Sequence, residues 1–231
     1  MIDAAIQPLL HRLLAAPARR LAAMGVGADQ ITLAGFALGL LACVAAAAGA
    51  WGAALVLLLA NRLADGLDGA VARITGPTDR GAFLDIALDF LFYALFPLGF
   101  ALADPGANAL AAAVLIAAFV GTGSSFLAFA ALAAGRGQRA PRFPAKGIYY
   151  LGGLTEGFET IAIFVAMCLF PQAFPAIALG FALACAVTTV LRWRQGWIAL
   201  SPAMHPRPAP DAPPARRGRT DPEEEPPCAP C

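Results

Sequence analysis

The sequence predicts an all-α polytopic membrane protein: six transmembrane helices preceded by an amphipathic juxtamembrane helix. Three observations predict it. Of the 231 residues, 59% are hydrophobic and 13% charged, with a mean hydropathy of +0.69, far from the composition of a soluble globular domain. Six apolar stretches follow one another at about 31–50, 52–73, 82–103, 107–134, 148–170 and 172–192, each long enough to cross a bilayer core at 1.5 Å rise per residue. Finally, Arg62 apart, Arg and Lys fall in alternate loops and their flanks.

The chain begins with a segment, 2–23, whose Ile2, Ile6, Leu9, Leu10, Leu13, Leu14 and Leu21 alternate with polar positions up to Arg19 and Arg20, with an interruption at Pro17. It reads as a helix lying on the cytoplasmic leaflet or packed against the bundle. No A-x-A-like site follows a short apolar run, so no secretory signal is expected. Basic residues then precede span one (Arg12, Arg19, Arg20), flank the loop between spans two and three (Arg73, Arg80), and fill the loop between four and five (Arg136, Arg139, Arg142, Lys146). They also follow span six (Arg192, Arg194), whereas the turns near 51, 104–106 and 171 have none. The positive-inside rule places both termini and both long loops in the cytoplasm of a bacterial-type inner membrane. Only Arg62 falls within a span. Trp193 and Trp197 read as an interfacial anchor. The tail 201–231 holds ten of the nineteen prolines and Glu223-Glu224-Glu225, a composition that predicts disorder. Cys43, Cys168 and Cys185 lie in apolar stretches and read as small buried hydrophobes. Cys228 and Cys231 alone lack the further ligands a zinc site needs. Three regions are expected: an interfacial segment 1–30, a membrane domain 31–195 and a Pro-rich tail 196–231. The net charge of +1 carries no partner signal, and no nucleic-acid partner is expected.

Carboxylates inside the second and third spans are the informative exception. They occur in Asp65-Gly66-Leu67-Asp68-Gly69-Ala70-Val71-Ala72-Arg73 and in Gly81-Ala82-Phe83-Leu84-Asp85-Ile86-Ala87-Leu88-Asp89. An Asp at the centre of a membrane helix costs about 2.5–3.5 kcal/mol, so four together call for a compensating partner. Relative to Asp65, a helix places Asp68 at about −60°, Gly69 at +40°, Ala72 at −20° and Asn61 at −40°. Asp85 lies between Gly81 and Asp89 at about ±40°. Each helix therefore presents two carboxylates beside very small residues. The short link 74–80 makes the helices antiparallel neighbours, and the four carboxylates converge. Oxygen donors suit Mg²⁺ or Mn²⁺, and four of them suit two ions about 3.5–4 Å apart, the arrangement that clamps a diphosphate. Gly69, Ala72 and Gly81 leave room for a ligand, and Arg73 and Arg80 suit phosphate oxygens. The competing reading is that the carboxylates only pair with Arg62, Arg73 and Arg80.

The pattern D-x-x-D-G-x-x-A-R, seven or eight residues, then G-x-x-x-D-x-x-x-D resembles the signature of the CDP-alcohol phosphatidyltransferases. Asp65, Asp68, Gly69, Ala72, Arg73, Gly81, Asp85 and Asp89 fill its defined positions. The resemblance implies a six-helix membrane enzyme, usually a homodimer, with two metal ions in a cytoplasm-facing cavity. It implies Asp65, Asp68 and Asp85 as metal ligands, and Asp89 as both a ligand and the general base. Gly69, Ala72 and Arg73 would contact the cytidine nucleotide, with Thr78 and Gly81 beside them. A T-P-N/D-x-x-T element common in the family reads Gly27-Ala28-Asp29-Gln30-Ile31-Thr32 here, keeping Asp29 and Thr32 without the proline. The implied reaction moves a phosphatidyl group from CDP-diacylglycerol to a small alcohol and releases CMP. The family also contains the other direction, from a CDP-alcohol to diacylglycerol, and the signature does not separate the two.

Acceptor-side candidates come from other regions. Tyr149, Gly152, Glu156, Glu159 and Thr160 share a face of span five, which suggests a cavity wall for the acceptor or hydrogen bonding to 121–125 of span four. Arg139, Arg142 and Lys146 suit a phosphorylated acceptor, although cytoplasmic loops are basic for topological reasons as well. Two other functions compete. An intramembrane prenyltransferase shares the Asn61-x-x-x-Asp65 spacing but needs a second Asp-rich site, and beyond Asp104 the spans contain only Glu156 and Glu159. A cation transporter would spread acids through the membrane depth, whereas these cluster.

Overall fold

The computed structural model describes residues 2–135 and 155–201, with side chains described over 12–134 and 155–201. These residues form seven α-helices: α1 (Ile2–Ala23), α2 (Ala28–Ala47), α3 (Trp51–Thr75), α4 (Asp79–Ala103), α5 (Pro105–Gly135), α6 (Gly157–Leu169) and α7 (Phe174–Ala199). No strand occurs among them. Helices α2, α4, α5 and α7 are long and apolar enough to cross a membrane. Large apolar side chains such as Val44, Val56, Leu102, Leu110 and Leu183 face outward, as expected where the surrounding medium is hydrocarbon. Helix α3 has the length to span but carries Arg62, Asp65, Asp68 and Arg73.

Turn chemistry sets how α3 and α4 meet. Gly76 stops α3 with φ of 99°, a conformation that side chains with a Cβ rarely adopt. Thr78 then starts α4, its hydroxyl accepting from the Gly81 N–H at 3.0 Å, a side-chain N-cap. The link is therefore only 76–78, shorter than the expected 74–80, because capping extends each helix. Helix α2 packs against both partners and α5 against α4 and α7. At the α2–α4 crossing a Cβ on Gly99 would stand 2.7 Å from the Cys43 carbonyl oxygen, so only glycine permits this approach.

The core is an aromatic column. Phe92, Phe96 and Phe100 follow one another on one face of α4 and are fully buried. Phe96 meets Phe164 of α6 at 4.7 Å between centroids, and Phe100 stacks on Phe174 of α7 at 4.7 Å. Asp85 and Asp89 continue the same face toward the α3–α4 link. The column thus fixes the rotation of α4 and, with it, the direction of the carboxylates.

Two expectations change. Helix α1 runs through Pro17 unbroken, and Leu14 and Ala18 pack with Ile31, Ala70 and Val71. Docking on α3 on both sides of the proline holds the helix across it. Span five was expected over 148–170, but Thr155 and Glu156 are not helical and α6 starts at Gly157. The cause is local capping: the Glu156 N–H donates to Glu159 Oε2 at 3.2 Å, while Thr155 and Thr188 hydroxyls meet at 3.1 Å. Residues 136–154 and 202–231, including the basic loop, Tyr149, Gly152 and the tail cysteines, lie outside the described residues.

Candidate metal centre

Asp65 and Asp68 sit on consecutive turns of α3, and Asp85 and Asp89 on consecutive turns of α4. The helical offsets anticipated from spacing bring them to one cleft between α2, α3 and α4. One carboxylate oxygen from each of Asp65, Asp68 and Asp85 lies within 4.8 Å of the others. Oxygens sharing an octahedral Mg²⁺ stand about 3 Å apart when adjacent and about 4.2 Å when opposite, so the three would draw together on binding an ion. The donor set, all carboxylate, suits a hard divalent ion. The residues fit the group.

Asp89 lines the same cleft but is engaged differently. Its Oδ1 accepts from Arg62 Nη2 at 3.0 Å. Arg62 Nη1 also lies 3.8 Å from Asp65 Oδ2, and Arg62 Nε donates to Asn61 Oδ1 at 2.7 Å. Asn61 in turn donates to the Gly35 carbonyl of α2 at 2.8 Å. From α2 the Thr32 hydroxyl donates to Asp68 Oδ2 at 2.6 Å. The pairing of carboxylates with arginine is therefore present, at Arg62, alongside the three-oxygen cluster.

The remaining candidates surround the cleft. Gly69, Ala72, Arg73, Thr78 and Gly81 lie along the ends of α3 and α4 nearest the link, outside the cleft walls, and Arg73 and Thr78 are exposed. A Cβ on Gly69 would be 3.5 Å from Arg73 Nη1. Asp29 of α2 forms an ion pair with Arg80, whose Nε is 2.9 Å from Asp29 Oδ2. A Cβ on Gly81 would stand 3.0 Å from the other Asp29 oxygen, so glycine there keeps α2 and α4 close. Glu156 and Glu159 form the cap of α6 rather than sitting deep within a helix. Arg139, Arg142 and Lys146 lie outside the described residues. From the sequence, Arg62 is named only as a pairing partner of the carboxylates and Thr32 only as a retained position of the element at 27–32; their particular partners Asp89 and Asp68 come from the structure. The available signal for Arg62 was a lone cation within a span, one turn before Asp65.

Fold and site together define an integral membrane protein of α-helices with a carboxylate cluster suited to a divalent ion. The chain belongs to the CDP-alcohol phosphatidyltransferase family, whose model matches residues 26–194. It is similar to the Escherichia coli (strain K12) inner membrane protein YnjF, 54% identical over 195 residues that cover 84% of this chain and 93% of that one. Among solved structures it resembles Mycobacterium tuberculosis phosphatidylinositol phosphate synthase (PgsA1) with CDP-DAG bound, at TM-score 0.67 and 21% identity over 80% of this chain and 94% of that one. The same enzyme in complex with manganese and citrate aligns at TM-score 0.65 and 22% identity, covering 80% of this chain and 88% of that one. These likenesses establish a shared fold.

Proposed function

We propose that this protein is a membrane phospholipid-synthesis enzyme transferring a phosphatidyl group from CDP-diacylglycerol to a small alcohol, which is free or phosphorylated, with release of CMP. The observation that carries the reading is the approach of Asp65, Asp68 and Asp85 oxygens within 4.8 Å on two adjoining helices, in a chain of this family. The solved mycobacterial relative with CDP-DAG bound supports the donor, and its manganese complex supports Mg²⁺ or Mn²⁺.

Asp65, Asp68 and Asp85 would hold the ion, which when bound supplies positive charge against the donor diphosphate. Thr32 keeps Asp68 turned toward the cluster through its 2.6 Å hydrogen bond. Asp89 accepts the proton of the attacking hydroxyl as the new O–P bond forms. The P–O bond to CMP breaks, and its electron pair leaves with CMP. Gly69, Ala72, Arg73, Thr78 and Gly81, at the mouth of the α3–α4 pair, receive the cytidine nucleotide. The amphiphilic donor accounts for the architecture, since its nucleotide needs a polar cleft and its acyl chains need hydrocarbon between helices.

In this reading α3 and the segment containing α6 complete six spans, and both termini and the cleft face the cytoplasm. Helix α1 lies at that surface, and two copies associate. The test is CMP release by purified protein supplied with CDP-diacylglycerol, Mg²⁺ or Mn²⁺ and a panel of alcohols. Metal-dependent release with at least one acceptor is expected. Absence of release, with CMP appearing instead from a CDP-alcohol and diacylglycerol, would reverse the direction, and metal flux without either reaction would replace the enzyme by a transporter.

A further inference from the structure

Arg62 is held by α3 and α4 directly and by α2 through Asn61. Its side chain is 15% exposed, and three of its nitrogens face acceptors: Nε to Asn61 Oδ1 at 2.7 Å, Nη2 to Asp89 Oδ1 at 3.0 Å, and Nη1 toward Asp65 Oδ2 at 3.8 Å. The guanidinium carbon stands 5.1 Å from the Phe92 centroid and 5.9 Å from that of Tyr93. Asn61 is itself tied to the α2 backbone at the Gly35 carbonyl, and a Cβ on Gly39 would stand 3.1 Å from Asn61 Nδ2. A chain of contacts thus runs from α2 through Asn61 and Arg62 of α3 to Asp89 of α4.

A cation in apolar surroundings is tolerated only when paired and hydrogen-bonded, and here the pairing is selective. The closest carboxylate contact goes to Asp89, the carboxylate outside the three-oxygen cluster. The planar fork meets acceptors in several directions at once, which the single point charge of lysine does not reproduce.

We propose that Arg62 is a positioning residue: it holds Asp89 Oδ1 against the wall of the cleft, so that the other oxygen of that carboxylate faces the acceptor hydroxyl while Asp65, Asp68 and Asp85 serve the ion. This rests on the proposed transfer reaction for the role of Asp89. Because Arg62 acts through Asp89, its removal matters only while Asp89 is present.

The full chain is compared with Arg62→Gln, Arg62→Lys, Asp89→Asn and the double variant Arg62→Gln/Asp89→Asn. Arg62→Gln is expected to lower kcat about 10²-fold while KM for CDP-diacylglycerol and Mn²⁺ affinity by electron paramagnetic resonance move less than about threefold. Arg62→Lys recovers about tenfold of that loss by restoring the charge. The double variant stays within about threefold of Asp89→Asn alone. Wild-type kcat in Arg62→Gln, loss of Mn²⁺ binding in that variant, or multiplicative losses in the double variant would each overturn the proposal. Melting temperature reads the same contact without turnover: Arg62→Gln lowers it and adding Asp89→Asn restores it, whereas no restoration overturns the placement. If the wild type releases no CMP, the transfer reading fails while this coupling still decides whether Arg62 holds Asp89. If Arg62→Gln does not fold, Arg62→Lys and the double variant carry the comparison.

Discussion

Thr32 contributes one hydroxyl across the α2–α3 boundary, 2.6 Å from Asp68 Oδ2, and that bond keeps the carboxylate aimed into the cleft. A hydrogen bond to a charged group contributes about 1.5–3 kcal/mol. Thr32→Val removes the donor without changing shape, so Mn²⁺ titration of that variant should show weakened binding, while Thr32→Ser should bind as the wild type does. Equal binding by all three proteins would separate Thr32 from the metal centre. Asp85→Asn removes one of the three clustered oxygens' charges, and both Mn²⁺ binding and CMP release should fall by about 10² or more, as when a group aimed at transition-state charge is lost. The four aspartates were legible in the sequence because charge in an apolar helix is costly and their spacing put them on one face. Thr32 and Arg62 were harder to place. Their partners lie on other helices, and helical periodicity specifies which side a residue faces without specifying which atom it meets.

Helix ends and crossings are where local chemistry decides the geometry of the site. Gly76 holds φ of 99° at the α3–α4 link, and a side chain in such a conformation costs about 1–3 kcal/mol. Gly76→Ala should therefore lower the melting temperature of the detergent-solubilised protein, and an unchanged melting curve would show that the link does not constrain the pair. At α6 the two acids that are acceptor-side candidates sit at a helix terminus, Glu159 accepting from the Glu156 N–H. Loss of such a cap costs about 0.5–2 kcal/mol. Glu159→Gln preserves the acceptor oxygen and should leave both stability and acceptor KM near wild type, whereas Glu159→Ala should lose stability alone. A raised acceptor KM in Glu159→Gln would return this residue to substrate recognition. The later start of this helix has a physical origin. Within an apolar run, periodicity extends a helix across any residue that permits one, and the capping box only becomes visible when backbone and side chain are seen together.

For the whole molecule, the arrangement makes sense only if polarity changes along α4 as well as around it. Asp85 and Asp89 occupy the end nearest the link to α3, and Phe92, Phe96 and Phe100 continue the same face into the buried core. A 25-residue helix is about 37 Å long at 1.5 Å per residue, enough to place its two ends on opposite sides of a hydrocarbon layer of about 30 Å. In the proposed orientation the link end faces the cytoplasm, in keeping with the positive-inside rule: Arg73 and Arg80 flank it, and the opposite turn at 104–106 has no Arg or Lys. That orientation is also what the proposed chemistry requires, because nucleotide and ion arrive from the cytoplasm while the acyl chains remain in the bilayer. Thr78 and Ala107, both exposed, report the two ends directly when each is changed to cysteine in a chain whose own five cysteines have been replaced. A membrane-impermeant maleimide should label Thr78→Cys only in inverted inner-membrane vesicles and Ala107→Cys only from the outside of intact spheroplasts. The reverse pattern would place the carboxylate cleft on the side without CDP-activated lipid, and the transfer mechanism would have no donor to act upon.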